Sequence, residues 1–109
     1  MGWFHKKKPK PSGTALRLDG MELLYAVRRY VDENGTPQED GLGKGGRINT
    51  ANGHVILTCG DRDVFVNGDI TAVQCGELLS HNGAIFTGYN ELTGAEDTVV
   101  VYYSARFRD

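Results

Sequence analysis

The chain has 109 residues, 39% of them hydrophobic and 24% charged, values that suit one globular domain with a single modest core. No stretch approaches the roughly 18 consecutive apolar residues of a membrane-spanning helix. The formal net charge of −2 hides a division: the first twelve residues hold four lysines, whereas the rest sets eight Lys or Arg against fourteen Asp or Glu, a net of −6, which is a poor general field for nucleic acid.

Residues 1–13 read MGWFHKKKPKPSG, a linker-like basic tail preceding a single β-rich domain at 14–109. Trp3 and Phe4 beside Lys6, Lys7, Lys8 and Lys10 form a short patch of the kind that makes weak peripheral contact with anionic membrane. Gly2 starts a myristoylation-like sequence, but Lys6 stands where that motif needs Ser or Thr. The basic residues are not followed by the apolar segment of a secretory signal. The expectation is therefore a cytoplasmic protein in which Cys59 and Cys75, the only cysteines, are free structural thiols.

Residues 14–18 alternate like a short edge strand. Asp19 and Glu22 have the spacing of a capping box. Leu23, Leu24, Val27, Tyr30 and Val31 then recur on one helical face, so the spacing predicts a helix over 20–31. Leu23, Tyr25, Val27 and Val31 also alternate, and Tyr and Val favour strands, which keeps a strand reading open. Residues 35–46 read as a loop. Gly41, Gly43, Gly45 and Gly46 around Lys44 have a phosphate-cradling composition but not P-loop spacing, and no Ser or Thr follows the lysine to hold magnesium.

Asn-Gly dipeptides recur at Asn52, Asn67 and Asn82, each 15 residues apart, with a further copy at Asn34. Asn67-Gly68 lies between strand-like runs at 63–66 and 69–73, the signature of a two-residue hairpin in which Phe65 faces Ile70. The recurrence fits an antiparallel meander. The alternative is a short β-solenoid, for which three coils would be near the minimum. Further strands are expected at 47–50, 54–59 and 84–89, with 77–81 ambiguous. The last and most β-prone run is 98–108. In it Val99, Val101, Tyr103, Ala105 and Phe107 share one face, and Val100, Tyr102, Ser104, Arg106 and Arg108 share the other.

The fold expected is mainly β, a small antiparallel meander of six or seven strands forming a barrel or sandwich, or α+β if 20–31 is helical. The expected core is Leu24, Val27, Val55, Leu57, Phe65, Ile70, Val73, Ile85, Val99, Val101 and Tyr103. Cysteine–histidine dyads from Cys59 or Cys75 with His54 or His81 lack any flanking signature. Asp61, Asp63, Asn67 and Asp69 fail the calcium-loop pattern, because Phe65 occupies a ligand position. No zinc spacing, triad or cofactor motif is present, so no enzyme activity, metal or cofactor is expected.

What remains is a non-catalytic protein-binding or assembly module. If the strand at 98–108 lies at a sheet edge, Val100 and Tyr102 are placed to pair with a protein partner or a second copy; if it is central, the chain is a monomer. The alternative is a nucleic-acid- or anionic-membrane-binding module using the basic tail and the Tyr102, Arg106 and Arg108 face, with Phe86 and Tyr89 as further stacking candidates. The acidic body weighs against nucleic acid.

Overall fold

The strand at the end of the chain organises the rest. The computed structural model describes residues 13–103, and in it β8 (Ala95–Tyr103) is the middle strand of five. Its neighbours are β1 (Leu23–Val31) and β7 (Gly83–Asn90); β2 (Pro37–Lys44) and β6 (Gln74–Glu77) form the two edges. A second antiparallel sheet contains β3 (Arg47–Asn49), β4 (Val55–Cys59) and β5 (Arg62–Asn67) in that order. A five-residue helix, α1 (Gly13–Arg17), packs beside β6. The described residues are thus mainly β, with eight strands in two antiparallel sheets and no solenoid coils.

The core lies between the sheets. Ala26, Ala84, Phe86, Val99, Val101 and Tyr103 point inward from the larger sheet, and Ile48, Val55, Leu57 and Phe65 meet them from the smaller one. Burying each Leu, Val or Phe side chain contributes about 1.5–3 kcal/mol. Of the core expected from sequence, Val55, Leu57, Phe65, Ile70, Val73, Val99, Val101 and Tyr103 are buried. Val27 and Ile85 are half-buried on the opposite face of the larger sheet. Leu24 is 55% exposed because it sits at a register shift between Leu23 and Tyr25.

Several local expectations are overturned. Residues 20–31 are not helical: β1 pairs with β2 on one side and β8 on the other, and this two-sided ladder decides between a helical and an alternating pattern that the sequence supports about equally. The Asp19 carboxylate caps no helix there; it accepts the Thr50 amide at 2.7 Å. Residues 14–18 are largely helix rather than strand, with Ala15 and Leu18, three apart, both turned to the core. The expected loop at 35–46 holds β2, whose residues are nearly all exposed, so no apolar alternation marks it as a strand.

Asn67-Gly68 is not a hairpin turn. Neither residue has positive φ, as a type I′ turn would demand. The Asn67 carboxamide instead donates to the Tyr89 carbonyl at 2.9 Å and accepts the Asp69 amide at 2.7 Å, as the chain crosses from one sheet to the other. The hairpin joining β4 to β5 turns at Gly60 and Asp61, with Gly60 at φ +62°. Gly46 is likewise structural: a Cβ there would lie 1.8 Å from the Thr58 carbonyl oxygen.

The two sheets are hydrogen-bonded at two seams. At one, Leu23 donates to Gly46, Ile48 to Met21 and Gly20 to Ile48, all through backbone amides. At the other, the fully buried Asn90 carboxamide donates to the Val64 carbonyl (2.9 Å) and to Asp97 Oδ2 (2.8 Å), and accepts the amides of Val66 (3.1 Å) and Leu92 (3.0 Å). Both of its donor hydrogens and its oxygen are used. Asn90→Ala leaves several of these buried groups unsatisfied and is expected to cost about 3 kcal/mol in urea unfolding. The same measurement on Leu79→Ser, at an exposed turn, should move by less than about 0.5 kcal/mol. Equal midpoints for the two variants would show that the Asn90 seam does not hold the sheets.

Candidate interaction face

Among the described residues nothing covers the side of the five-stranded sheet turned away from the core, and its middle is apolar. An antiparallel sheet with one solvated face normally alternates apolar and polar residues. Here the outer positions are Tyr25 and Val27 on β1, Val100 and Tyr102 on β8, and Ile85 on β7, in register as Tyr25↔Tyr102, Val27↔Val100 and Ile85↔Val100. The Tyr25 and Tyr102 rings stack with centroids 4.5 Å apart and planes at 22°. Thr87 and Thr98 hydrogen-bond across the same face at 3.2 Å. Arg29 donates to the Glu39 carboxylate at 2.7 Å, and this bond raises the guanidinium pKa.

Three glycines thin the face. Gly41 stands beside Val27, Gly76 beside Ile85 and Gly83 beside Tyr102, so the central ridge has no long neighbours at those positions. Val100 is nonetheless fully buried, with Val27 and Ile85 opposite it on the two neighbouring strands. Tyr25, Val31 and Tyr89 carry the exposure, at 44%, 65% and 50%.

At one end the sheet forks. The β1–β8 ladder stops at Arg29↔Thr98, while β1–β2 continues to Val31↔Pro37 and β7–β8 to Asn90↔Ala95. A groove of about 560 Å³ opens there, lined by Arg29, Val31, Pro37, Glu39 and Thr98 among others.

Of the residues singled out in the sequence, Val100 and Tyr102 lie on this face. Trp3, Phe4, Lys6, Lys7, Lys8, Lys10, Arg106 and Arg108 lie outside the described residues. Of the two placements the sequence left open, edge and central, the structure has the central one: β8 is paired on both sides, so Val100 and Tyr102 present side chains and not free backbone. The sequence reading missed Tyr25, which was recoverable from the alternation of Tyr25, Val27 and Arg29. It assigned Val27 and Ile85 to the core. Phe86, considered as a stacking ring, points into the core.

The candidate catalytic groups are dispersed. His54 lies 3.1 Å from the Asn49 side-chain oxygen, and His81 lies 3.9 Å from Glu77. Asp69 accepts the Thr71 amide and hydroxyl. Among the described residues no three His, Cys, Asp or Glu side chains gather as a metal site, and no helix is long and apolar enough to cross a membrane. Neither Cys59 nor Cys75 is in a disulfide. Burial pushes the Cys59 thiol up, and it pushes Cys75 up to about 12 despite the opposing charge of Arg17. No family model, curated protein or solved structure matches this chain.

These shifts carry two expectations. Thiolate is the reactive form, so both thiols should resist alkylation at neutral pH in the folded protein and react freely in urea. Fast labelling of one thiol in the folded chain would contradict the assignment. Cys75 rises from an ordinary 9.0 to about 12, and Tyr103 rises from 10.0 to about 12 through burial and the adjacent Glu77 charge. Each neutral form is favoured in the folded state, so its contribution is present below pH 9.0 for Cys75 and 10.0 for Tyr103 and is lost as the pH rises through about 12. Unfolding midpoints should fall across that window, and Tyr103→Phe should flatten the upper part of the fall. A midpoint that stays level to pH 12 would refute both shifts.

Proposed function

We propose that this protein is a non-catalytic binding module that meets another protein through the outer face of its five-stranded sheet. The observation that carries the reading is the apolar strip of Tyr25, Val27, Ile85 and Tyr102, which no described residue covers; Tyr25 is nearly half exposed and the other three are part-buried. Leaving such a strip in water is unfavourable unless something covers it, and contiguous exposed apolar patches commonly mark interaction sites. Exposed aromatic residues beside threonines and one ion pair also match the composition of protein interfaces.

The charge pattern favours protein over nucleic acid as partner. Arg29 is already paired with Glu39, and among the described residues Lys44, in register with Tyr25, is the other cation at the outer positions. Phosphate backbones require several unpaired cations, since each neutralised phosphate contributes separately. The edges are poor strand templates too, because β2 carries Pro37, Glu39 and Asp40 and β6 is four residues long.

The test uses the full chain as bait with three variants: Tyr25→Lys with Ile85→Lys, Tyr102→Ala, and Leu79→Lys on the 98% exposed turn leucine as control. A partner bound through the face should lose about 30-fold in affinity or more in the first variant, the effect of a hot-spot residue of ~2 kcal/mol. It should be unaffected by the control. A partner that binds the face double variant and the wild type equally would sink the reading.

A further inference from the structure

An apolar strip of this kind is a favourable docking surface, and its dimensions select among candidate occupants. Four strand spacings by about five residues give a face on the order of 300 Å². That is well short of the roughly 800 Å² that each partner buries in a stable protein–protein interface. A second copy would also bring like charge: residues 13–103 hold six Lys or Arg and thirteen Asp or Glu, a net of −7. Face-to-face pairing of two such domains is both undersized and repulsive.

The chain carries a better-matched occupant. Twelve residues precede Gly13, and they hold two adjacent large aromatics, Trp3 and Phe4, followed by Lys6, Lys7, Lys8 and Lys10. A Trp and a Phe bury roughly 300–500 Å² together, the size of the strip. The sign of the four lysines is opposite to that of the body. Position also fits. α1 starts at Gly13 and packs beside β6, an edge of the same sheet, where Arg17 meets Glu77 at 3.3 Å. From β6 to β1 is three strand spacings, about 14 Å. The ten residue steps from Trp3 to Gly13 span up to about 33 Å when extended, enough to round the edge and reach Tyr25.

We infer that Trp3 and Phe4 of the chain's own N-terminal segment dock on the outer face over Tyr25, Val27, Ile85 and Tyr102, and that a protein partner must displace them. This rests on the reading of that face as the binding surface and adds its regulation. The segment is an intramolecular competitor: its effective concentration lowers apparent partner affinity, and removing its aromatics raises it.

Trp3 is the only tryptophan, so it reports its own environment in the unmodified full chain. Selective excitation should give an emission blue-shifted from that of N-acetyltryptophanamide and protected from iodide, unchanged on dilution. Tyr25→Lys with Ile85→Lys should remove the blue shift and the protection, and Leu79→Lys should preserve both. Circular dichroism checks the fold of each variant. If the double variant does not fold, Tyr25→Lys alone serves, since that side chain is already 44% exposed. A solvent-like Trp3 in the wild type overturns the inference, as does a blue shift that survives the face variants. A blue shift that fades on dilution also overturns it, because the occupied face would then belong to a second copy. Binding of a partner separates this from the reading beneath it. Trp3→Ala with Phe4→Ala should tighten partner binding, whereas the face variants weaken it whether or not Trp3 docks.

Discussion

The carboxamide of Asn90 fixes how the two sheets meet. It is buried without access to water and makes four hydrogen bonds, two of them to β5 in the opposite sheet. The same nitrogen bonds Asp97, whose carboxylate also accepts from Arg28 Nε at 2.8 Å and 2.9 Å. Arg28, Asn90 and Asp97 come from β1, β7 and β8, so one connected network ties three adjacent strands of one sheet to the edge of the other. A buried carboxylate alone would carry a large desolvation cost; paired and hydrogen-bonded, it becomes a constraint on geometry. The alternation of each strand then follows. With Arg28 and Asp97 held inward, Val27 and Thr98 on one side and Arg29 and Glu96 on the other must face out.

The opposite seam works through different groups to the same end. The Thr50 hydroxyl donates to the Ala15 carbonyl at 2.8 Å, and its amide donates to Asp19. These bonds pin α1 and the turn after it across the end of the core. The Tyr103 hydroxyl reaches the Gly83 carbonyl at 3.1 Å and closes the space beneath. Both ends of the inner layer are thereby occupied. The helix and the smaller sheet cover one face of the large sheet, and among the described residues nothing covers the other.

How much of this was legible depended on whether a signal was local. The two faces of β8 were readable because alternation over 98–103 is uninterrupted and its apolar residues are β-branched or aromatic. Val55, Leu57, Phe65 and Val73 were readable as core for the same reason. β2 was not, since its strand character comes from its ladder with β1 and its side chains are almost all solvated. β1 satisfied two periodicities, and only the presence of strands on both sides decided between them. Asn67-Gly68 misled because a turn-former was recruited for side-chain hydrogen bonding across the sheets, a tertiary use that no dipeptide rule registers. The outer strip was half legible: Val100 and Tyr102 were assigned to a shared face, but whether that face sat at an edge or in the middle depended on topology.

That difference changes which residues bear on function. Val100 sits at the middle of the outer face and is fully buried, paired with Val27 and Ile85, and cross-strand contacts of that kind stabilise any sheet by a few tenths to about 1 kcal/mol each. Its presence needs no partner. Tyr25, Val31 and Tyr89 differ, because each leaves between two-fifths and two-thirds of its surface in water and sits where a polar residue would leave the inner core untouched. Tyr25 gains its stacking on Tyr102 and still presents nearly half of its surface outward. The case for a binding face therefore rests on the rim of the strip more than on its centre. The fork at Arg29 and Thr98 extends that rim, with Val31 and Pro37 beyond the last β1–β8 pair, where they pair only with each other across β1 and β2 and line the groove.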